Sequence, residues 1–444
     1  MSYDTQDMTA PAEWTLPEAQ TTPSPLPLRL LFFVTIILMN LITNDAFAVG
    51  PILLVGQGLI VLLGLATLII GWRSSLLRLP TEAKWTLAFF AWAITGVIVA
   101  PNYEWYWQSM VTLGKTIFMY LLFVIIVRSR QDLVMMGLAY IVSAMLFYRS
   151  GVTSSVSTGE VERIAGSVGD ANGFAYFGIV GAIFALIGFY HFRNKILKVL
   201  MLLSTPVLML MVIKSGSRSG MMGIILVAFA FYWWVLRGRA KATGGSKTAA
   251  TVIGLVIMGV VGAAIVLGPF WGRLAGTLGM ETHGQITEKE FGVEDVRSQV
   301  MIENVMDMLR NPLLGVSYGG HSFLALNEGT IRVGIVSHNT WASAGSGCGL
   351  PGLVIWLGAN FILLRRAWRL RKDPWLSATD RTIVSLCLCF LLFWWFRSNL
   401  FVHLGDKIVL PVVGGLTGYL TAVDTACKEV STWCVPVYEE EVPE

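Results

Sequence analysis

Charge is scarce in this chain. Of 444 residues only 14% are Asp, Glu, Lys or Arg, while 55% are hydrophobic. A soluble domain carries about 25% charged residues, so the composition excludes a soluble globular protein and puts most of the mass in a bilayer. Cysteine is sparse as well. Cys387 and Cys389 lie in an apolar run, Cys427 and Cys434 lie near the C-terminus, and Cys348 stands alone at the opposite face. That arrangement excludes a disulfide framework, and no CxxC pair of the zinc-binding kind exists. No glycine-rich Walker loop points to ATP, no GxSxG turn to a serine hydrolase, and no HExxH to zinc. No Asp-x-Asp pair points to a metal-bound nucleotide sugar. Acids buried within the apolar runs, which a proton-coupled carrier would need, are missing too; Lys115 is the clearest ionisable residue there. Residues 1–27 are polar and proline-rich, without the basic start and short apolar core of a signal peptide, and read as a disordered cytoplasmic tail.

What the chain does have is long hydrophobic runs. They fall near 28–46, 51–71, 84–101, 109–127, 133–149, 172–191, 196–213, 219–236, 249–270, 350–366, 381–400 and 405–424. Crossing the hydrocarbon core takes about 20 residues, so the expected fold is an all-α polytopic membrane protein of about 12 transmembrane helices. The expected division is 28–270 for the first nine helices, a loop at 271–348, the last three helices at 349–424, and a second cytoplasmic tail at 425–444. Short turns dense in Lys and Arg set the orientation. Arg73 and Arg78, Arg193 and Lys195, Arg237 to Lys247, and Arg365 to Lys372 all fall on the side of the N-terminus. Both termini are therefore expected in the cytoplasm and the long loop outside.

Two polar segments stand on the outer side. Residues 149–171 are rich in Ser, Thr, Gly and Val and read as a flexible loop. In the long loop, Glu294 to Arg310 spaces Val296, Val300, Met301, Val305, Met308 and Leu309 as an amphipathic helix, which Asn311-Pro312 ends. Such a helix lies on the bilayer or over a cavity.

Candidate chemistry gathers on that side. His338, in Ser337-His338-Asn339, sits ahead of the small-residue run 342–352. A histidine neutral near pH 7 suits a general base for a hydroxyl, and Asn339 suits orienting it or holding a sugar. The small-residue run either lets backbone approach a substrate or packs tightly into a helix start. Arg163, Arg218 and Arg297 all fall on the outer side, against the charge rule. A guanidinium is a rigid fork of donors that keeps its charge, and three of them at a membrane surface suit a phosphate or pyrophosphate. The plainer alternative pairs them with Glu160, Glu162 or Asp295. His283 and His321 share the loop but lack zinc-site spacing.

These segments together resemble a known family. Arg163 followed by Gly166, Gly169 and Asp170-Ala171-Asn172, then Ser217-Arg218-Ser219-Gly220, then Asn311-Pro312-Leu313-Leu314-Gly315 and His338-Asn339, look like the ordered motifs of the O-antigen ligase and O-antigen polymerase superfamily. The resemblance covers about residues 85 to 410. Ala171 stands where the family has proline, and Ser219 where it has glycine.

The resemblance implies a bacterial inner-membrane glycosyltransferase with its active site at the periplasmic face. The donor would be a glycan on undecaprenyl pyrophosphate and the acceptor a sugar hydroxyl, lipid A-core in a ligase. No metal, cofactor or nucleic acid is called for. His338 would take the acceptor proton, Arg218 and Arg297 would bind the pyrophosphate, and Arg163 would assist. An O-antigen or exopolysaccharide polymerase, or a protein O-oligosaccharyltransferase, would share these residues. A transporter of lipid-linked sugar would instead line a path through the membrane with its arginines.

Overall fold

The computed structural model describes residues 23–42, 50–72, 78–151, 155–158, 161–164, 171–237, 289–320, 339–398 and 409–433. Within them the chain forms α1 (Leu26–Ile42), α2 (Gly50–Trp72), α3 (Thr81–Thr95) with a 3-10 turn at Gly96–Val99, α4 (Tyr103–Ile126) and α5 (Arg130–Gly151). A hairpin of β1 (Ser155–Thr158) and β2 (Val161–Ile164) follows. Then come α6 (Ala171–His191), α7 (Lys195–Lys214) and α8 (Arg218–Ala230), which runs on as a π-helical turn over Phe231–Leu236. The last elements are α9 (Lys289–Arg310), α10 (Thr340–Leu370), α11 (Ala378–Ser398) and α12 (Val409–Trp433).

Apolar runs become helices because a backbone in hydrocarbon must satisfy its own amides and carbonyls. Nine helices among the described residues are long and apolar enough to cross a bilayer, while the apolar stretches Leu26–Leu41 and Leu54–Ile69 are shorter. The described residues are mainly helical and form a multi-pass membrane protein. The expected run at 249–270 lies outside the described residues. The expected amphipathic helix is present as α9.

Two features differ from expectation. Part of the polar segment 149–171 is an antiparallel hairpin, with Ser155 paired to Ile164 and Thr158 to Val161. Valines alternating with polar residues on either side of Gly159 favour paired strands over an open loop. The second difference is that α10 begins at Thr340, ahead of the apolar run at 350–366. Asn339 caps it, its side-chain oxygen accepting from the amides of Trp341 and Ala342, each at 2.9 Å. The cap starts the helix within the small-residue run.

Helix neighbours are fixed by close approach. Gly414 and Gly418 of α12 lie against the carbonyl oxygens of Tyr120 and Val124 on α4, where a Cβ would not fit. Small residues four apart are the usual membrane solution for bringing two backbones together.

The two ends of the bundle are built differently. At one end Arg29 of α1 meets Asp132 of α5 at 4.0 Å, and Arg130 of α5 meets Asp380 of α11 at 3.0 Å. Glu82 of α3 meets Arg366 of α10 at 2.9 Å, and Asp424 of α12 binds Arg369 and Lys428. At this salt-bridged end Arg371 stacks on the rings of Trp368 and Trp234, and Arg237 on Trp233. At the opposite end, among the described residues, α6 meets α8 through Asn172, Ser217 and Ser219, and α9 meets α10 through Asn304 and Ser346; the family-like motifs lie there.

Candidate functional site

The site is built first on a broken helix. Gly349 in α10 has φ 68° and ψ −174°, a conformation outside the helical region that glycine alone adopts freely. The break would strand backbone groups of α10, and segment 311–320, which follows α9, supplies partners for them. The Leu350 amide donates to Pro312 O at 2.8 Å, and the Val316 amide donates to Ser346 O at 2.7 Å. Trp92 Nε1 of α3 donates to Cys348 O at 2.8 Å. Ser346 Oγ also donates to Asn304 Oδ1 of α9 at 2.6 Å. Irregular backbone at membrane depth is tolerated when protein satisfies it in this way.

The small-residue run therefore serves packing. Positions 345, 347 and 349 face Met308, the Ser317-Tyr318 backbone and Leu313 in turn. Segment 311–320 is itself tightly wound, with positive φ at Gly315, Ser317 and Gly319. Ser317 is fully buried, and its hydroxyl has no hydrogen-bond partner among the described residues. Burial pushes the Tyr318 phenol well above its ordinary pKa, with Cys348 adding to the effect, so it stays protonated.

A second cluster ties α6 to α8. Ser217 Oγ donates to Asn172 Oδ1 at 2.6 Å and accepts from the Gly220 amide at 3.1 Å, capping α8. Ser219 Oγ lies 3.0 Å from Ser217 Oγ. The turn ahead of the cap needs Gly216 at φ 60°. Two of the sequence motifs, Asp170-Ala171-Asn172 and Ser217-Arg218-Ser219, are thus in direct contact through their serine and asparagine side chains.

The sequence-derived candidates fall as follows. Arg163 lies in β2, in register with Val156, on the hairpin that precedes α6. Arg218 is the first residue of α8, beside the Ser217 cap. Arg297 lies in α9, whose Asn304 anchors to the start of α10. Asn339 spends its side-chain oxygen on the α10 cap, with Nδ2 3.9 Å from Met301 Sδ. His338 lies outside the described residues, one position before that cap. The backbones of Arg218, Asn339 and the α6 start share one end of the bundle, away from the ion pairs.

Sequence reasoning missed one residue at this end. Arg397, in the last turn of α11, is only 4% exposed, and its guanidinium sits over the Tyr176 ring of α6 at 4.3 Å. The signal was present, since Arg397 is an ionisable residue inside the apolar run 381–400. Lys115, the residue singled out there, is exposed on α4. No group of three or more potential metal-ligating side chains occurs among the described residues.

Fold and site together define a polytopic membrane protein with polar motifs gathered at one end of a helical bundle. Residues 203–357 match the family model described as O-antigen ligase, in accord with the resemblance of its motifs to the O-antigen ligase and polymerase superfamily. The matched stretch runs from α7 into the second half of α10 and takes in Arg218, Arg297, His338 and Asn339, but neither Arg163 nor Arg397. No curated protein matches the chain.

Proposed function

We propose that the protein is a glycosyltransferase of the ligase type, moving a glycan from undecaprenyl pyrophosphate to a sugar hydroxyl of lipid A-core. The observation that carries this reading is the O-antigen ligase match over residues 203–357, which encloses the histidine and two of the three arginines. In the reaction His338 takes the proton of the acceptor hydroxyl as its oxygen attacks the anomeric carbon. The bond from that carbon to the pyrophosphate oxygen breaks, and the pyrophosphate leaves on its lipid. Arg218 and Arg297, assisted by Arg163, offset the negative charge that grows on the leaving group. Fixed cations in a water-poor site stabilise such a charge without reorganising. No sugar nucleotide is needed, because the lipid-linked bond is already activated.

Orientation follows from charge. The connections at the salt-bridged end carry Arg128, Arg193, Lys195, Arg237, Arg371 and Lys372. By the positive-inside rule that end is cytoplasmic, and the motif-bearing end faces the periplasm from the inner membrane. α9 fits this setting. It exposes Met301, Ile302, Val305, Met306 and Leu309, an apolar stripe suited to the outer leaflet.

The test is transfer by purified protein from an undecaprenyl-pyrophosphate glycan, with lipid A-core and free repeat unit offered in parallel, with and without EDTA. Product on lipid A-core supports the ligase reading. A ladder of repeat units makes the protein a polymerase, and transfer only to a protein hydroxyl makes it an O-oligosaccharyltransferase. Loss of transfer with EDTA overturns the metal-independent mechanism.

A further inference from the structure

We propose that Arg237, Arg371 and Lys372 bind the phosphate headgroup of an anionic phospholipid, on a tryptophan cluster between α8 and α10 at the salt-bridged end. The site is separate from the transfer reaction, whose residues gather at the other end. Several cations at the salt-bridged end have carboxylates. Arg29 has Asp132, Arg130 has Asp380, Arg366 has Glu82, and Arg369 and Lys428 share Asp424. Arg237, Arg371 and Lys372 form no ion pair among the described residues and lie on tryptophan rings instead. Asp373 directly follows Lys372, but its carboxylate accepts from the Trp375 amide at 2.9 Å.

The cluster is closely built. Trp234, in the π-helical turn that ends α8, meets Trp368 of α10 with centroids 5.7 Å apart and planes at 85°. Arg371 sits over both rings, 5.4 Å from Trp234 and 4.4 Å from Trp368. Lys372 lies 4.9 Å from the same Trp368 ring, so two cations share one aromatic and repel each other. Arg237, at the end of the π-turn, sits 4.5 Å over Trp233. Arg371 Nε is buried and has no hydrogen-bond partner among the described residues. Burial pulls the Arg371 pKa below its ordinary value, yet a guanidinium keeps its charge at any working pH. Cations crowded without a carboxylate are stabilised by an anion, and phosphate oxygens match the guanidinium fork. A π-turn is rare and often marks a functional position; this one carries Trp233 and Trp234.

The surface beneath the cations identifies the phosphate as a lipid's. Phe229, one turn deeper on α8, is exposed and stacks on Trp233 with centroids 6.1 Å apart. Phe361, two turns deeper on α10, is exposed on the same face as Trp368. Each helix thus sets cations at the membrane boundary and an exposed aromatic below them, matching a headgroup with acyl chains beneath it. A soluble anion would leave that lower surface unused. Basic pockets between membrane helices on the cytoplasmic side take such headgroups, and the charge rule places this end there.

The experiment uses the full purified protein in detergent with equal amounts of phosphatidylglycerol and phosphatidylcholine. Native mass spectrometry counts the retained molecules of each, and Tm shows that each variant is folded. Wild type is expected to keep phosphatidylglycerol in preference. Arg371→Gln and Lys372→Gln should each weaken that preference roughly fivefold, and the double variant should abolish it. Arg371→Lys, which keeps the charge without the fork, should fall between. Lys372→Gln, at an exposed position, carries the comparison where Arg371→Gln does not fold. The control is Lys84→Gln with Lys195→Gln, two exposed cations at the same end on α3 and α7, and it should match wild type. No preference in wild type, an unchanged preference in the folded cluster variants, or an equal loss in the control overturns the proposal. Displacement of the bound phosphatidylglycerol by glycerol phosphate at the same concentration makes this a soluble-anion site and overturns it as well.

Discussion

The amide of Leu350 donates to the carbonyl of Pro312 across the break in α10, at 2.8 Å. One residue earlier, Gly349 holds the φ of 68° that makes the break. The helix and the segment after α9 are therefore one structural unit, and the glycine is its hinge point.

Gly349→Ala should damage that unit. A Cβ there would meet the carbonyls of Pro312 and Leu313, backbone atoms that cannot swing aside, in a conformation alanine avoids. The expected outcome is a clear fall in Tm together with loss of transfer. Gly58→Ala in α2, where nothing lies within 4 Å, is the matched control and should leave both unchanged. Equal behaviour of the two variants would remove the hinge from the account.

Glu82→Ala should be among the most destabilising single changes at the salt-bridged end. Glu82 is 1% exposed and its partner Arg366 13% exposed, so the mutation leaves a largely buried cation without its carboxylate. Removing one partner of a buried pair costs about 3 kcal/mol or more. The double variant Glu82→Gln with Arg366→Met should recover most of the loss in thermal unfolding. Failure of the double variant to recover would mean that the charges matter for more than each other.

Ser217→Ala tests the α6-α8 cluster. It removes both the cap on the Gly220 amide and the bond to Asn172, a loss of about 1–2 kcal/mol. Transfer should fall further than stability alone accounts for, because Arg218 is carried by that cap. Unfolding and kinetics measured on one preparation separate the two effects.

A base at His338 gives a pH signature. The imidazole must be neutral to accept a proton, so transfer should fall as the pH is lowered and His338 becomes charged. His338→Ala should abolish transfer while leaving membrane insertion and Tm intact. A pH profile unchanged in a His338→Gln protein would assign the proton to another group.

The helices were legible in the sequence because the bilayer demands one thing of every crossing segment, a long apolar run. The gathering of motifs was legible in part, since the expected topology puts Arg218 and Asn339 at one end and the starts of α8 and α10 do share it. The start of α10 was not. Residues 342–349 are too small and glycine-rich to register as an apolar span, and what holds them is the backbone of residues 311–316, far away in sequence. Asn339 was read for its chemistry when its nearest task is to cap a helix, a signal that its place before Thr340 did offer. The hairpin was hidden by a composition rich in Ser, Thr and Gly. The burial of Arg397 against Tyr176 was not legible, because it sits at the end of an apolar run and its packing depends on a helix far away in sequence.

The mended break in α10 also bears on how the chain comes to be assembled. Residues 312 and 316 leave the ribosome before residues 346 and 350, so the backbone groups that close the break already exist when the broken helix is made. The half of α10 up to Cys348 can therefore settle against a finished neighbour as it emerges, and the order of synthesis matches the order in which the bonds are needed.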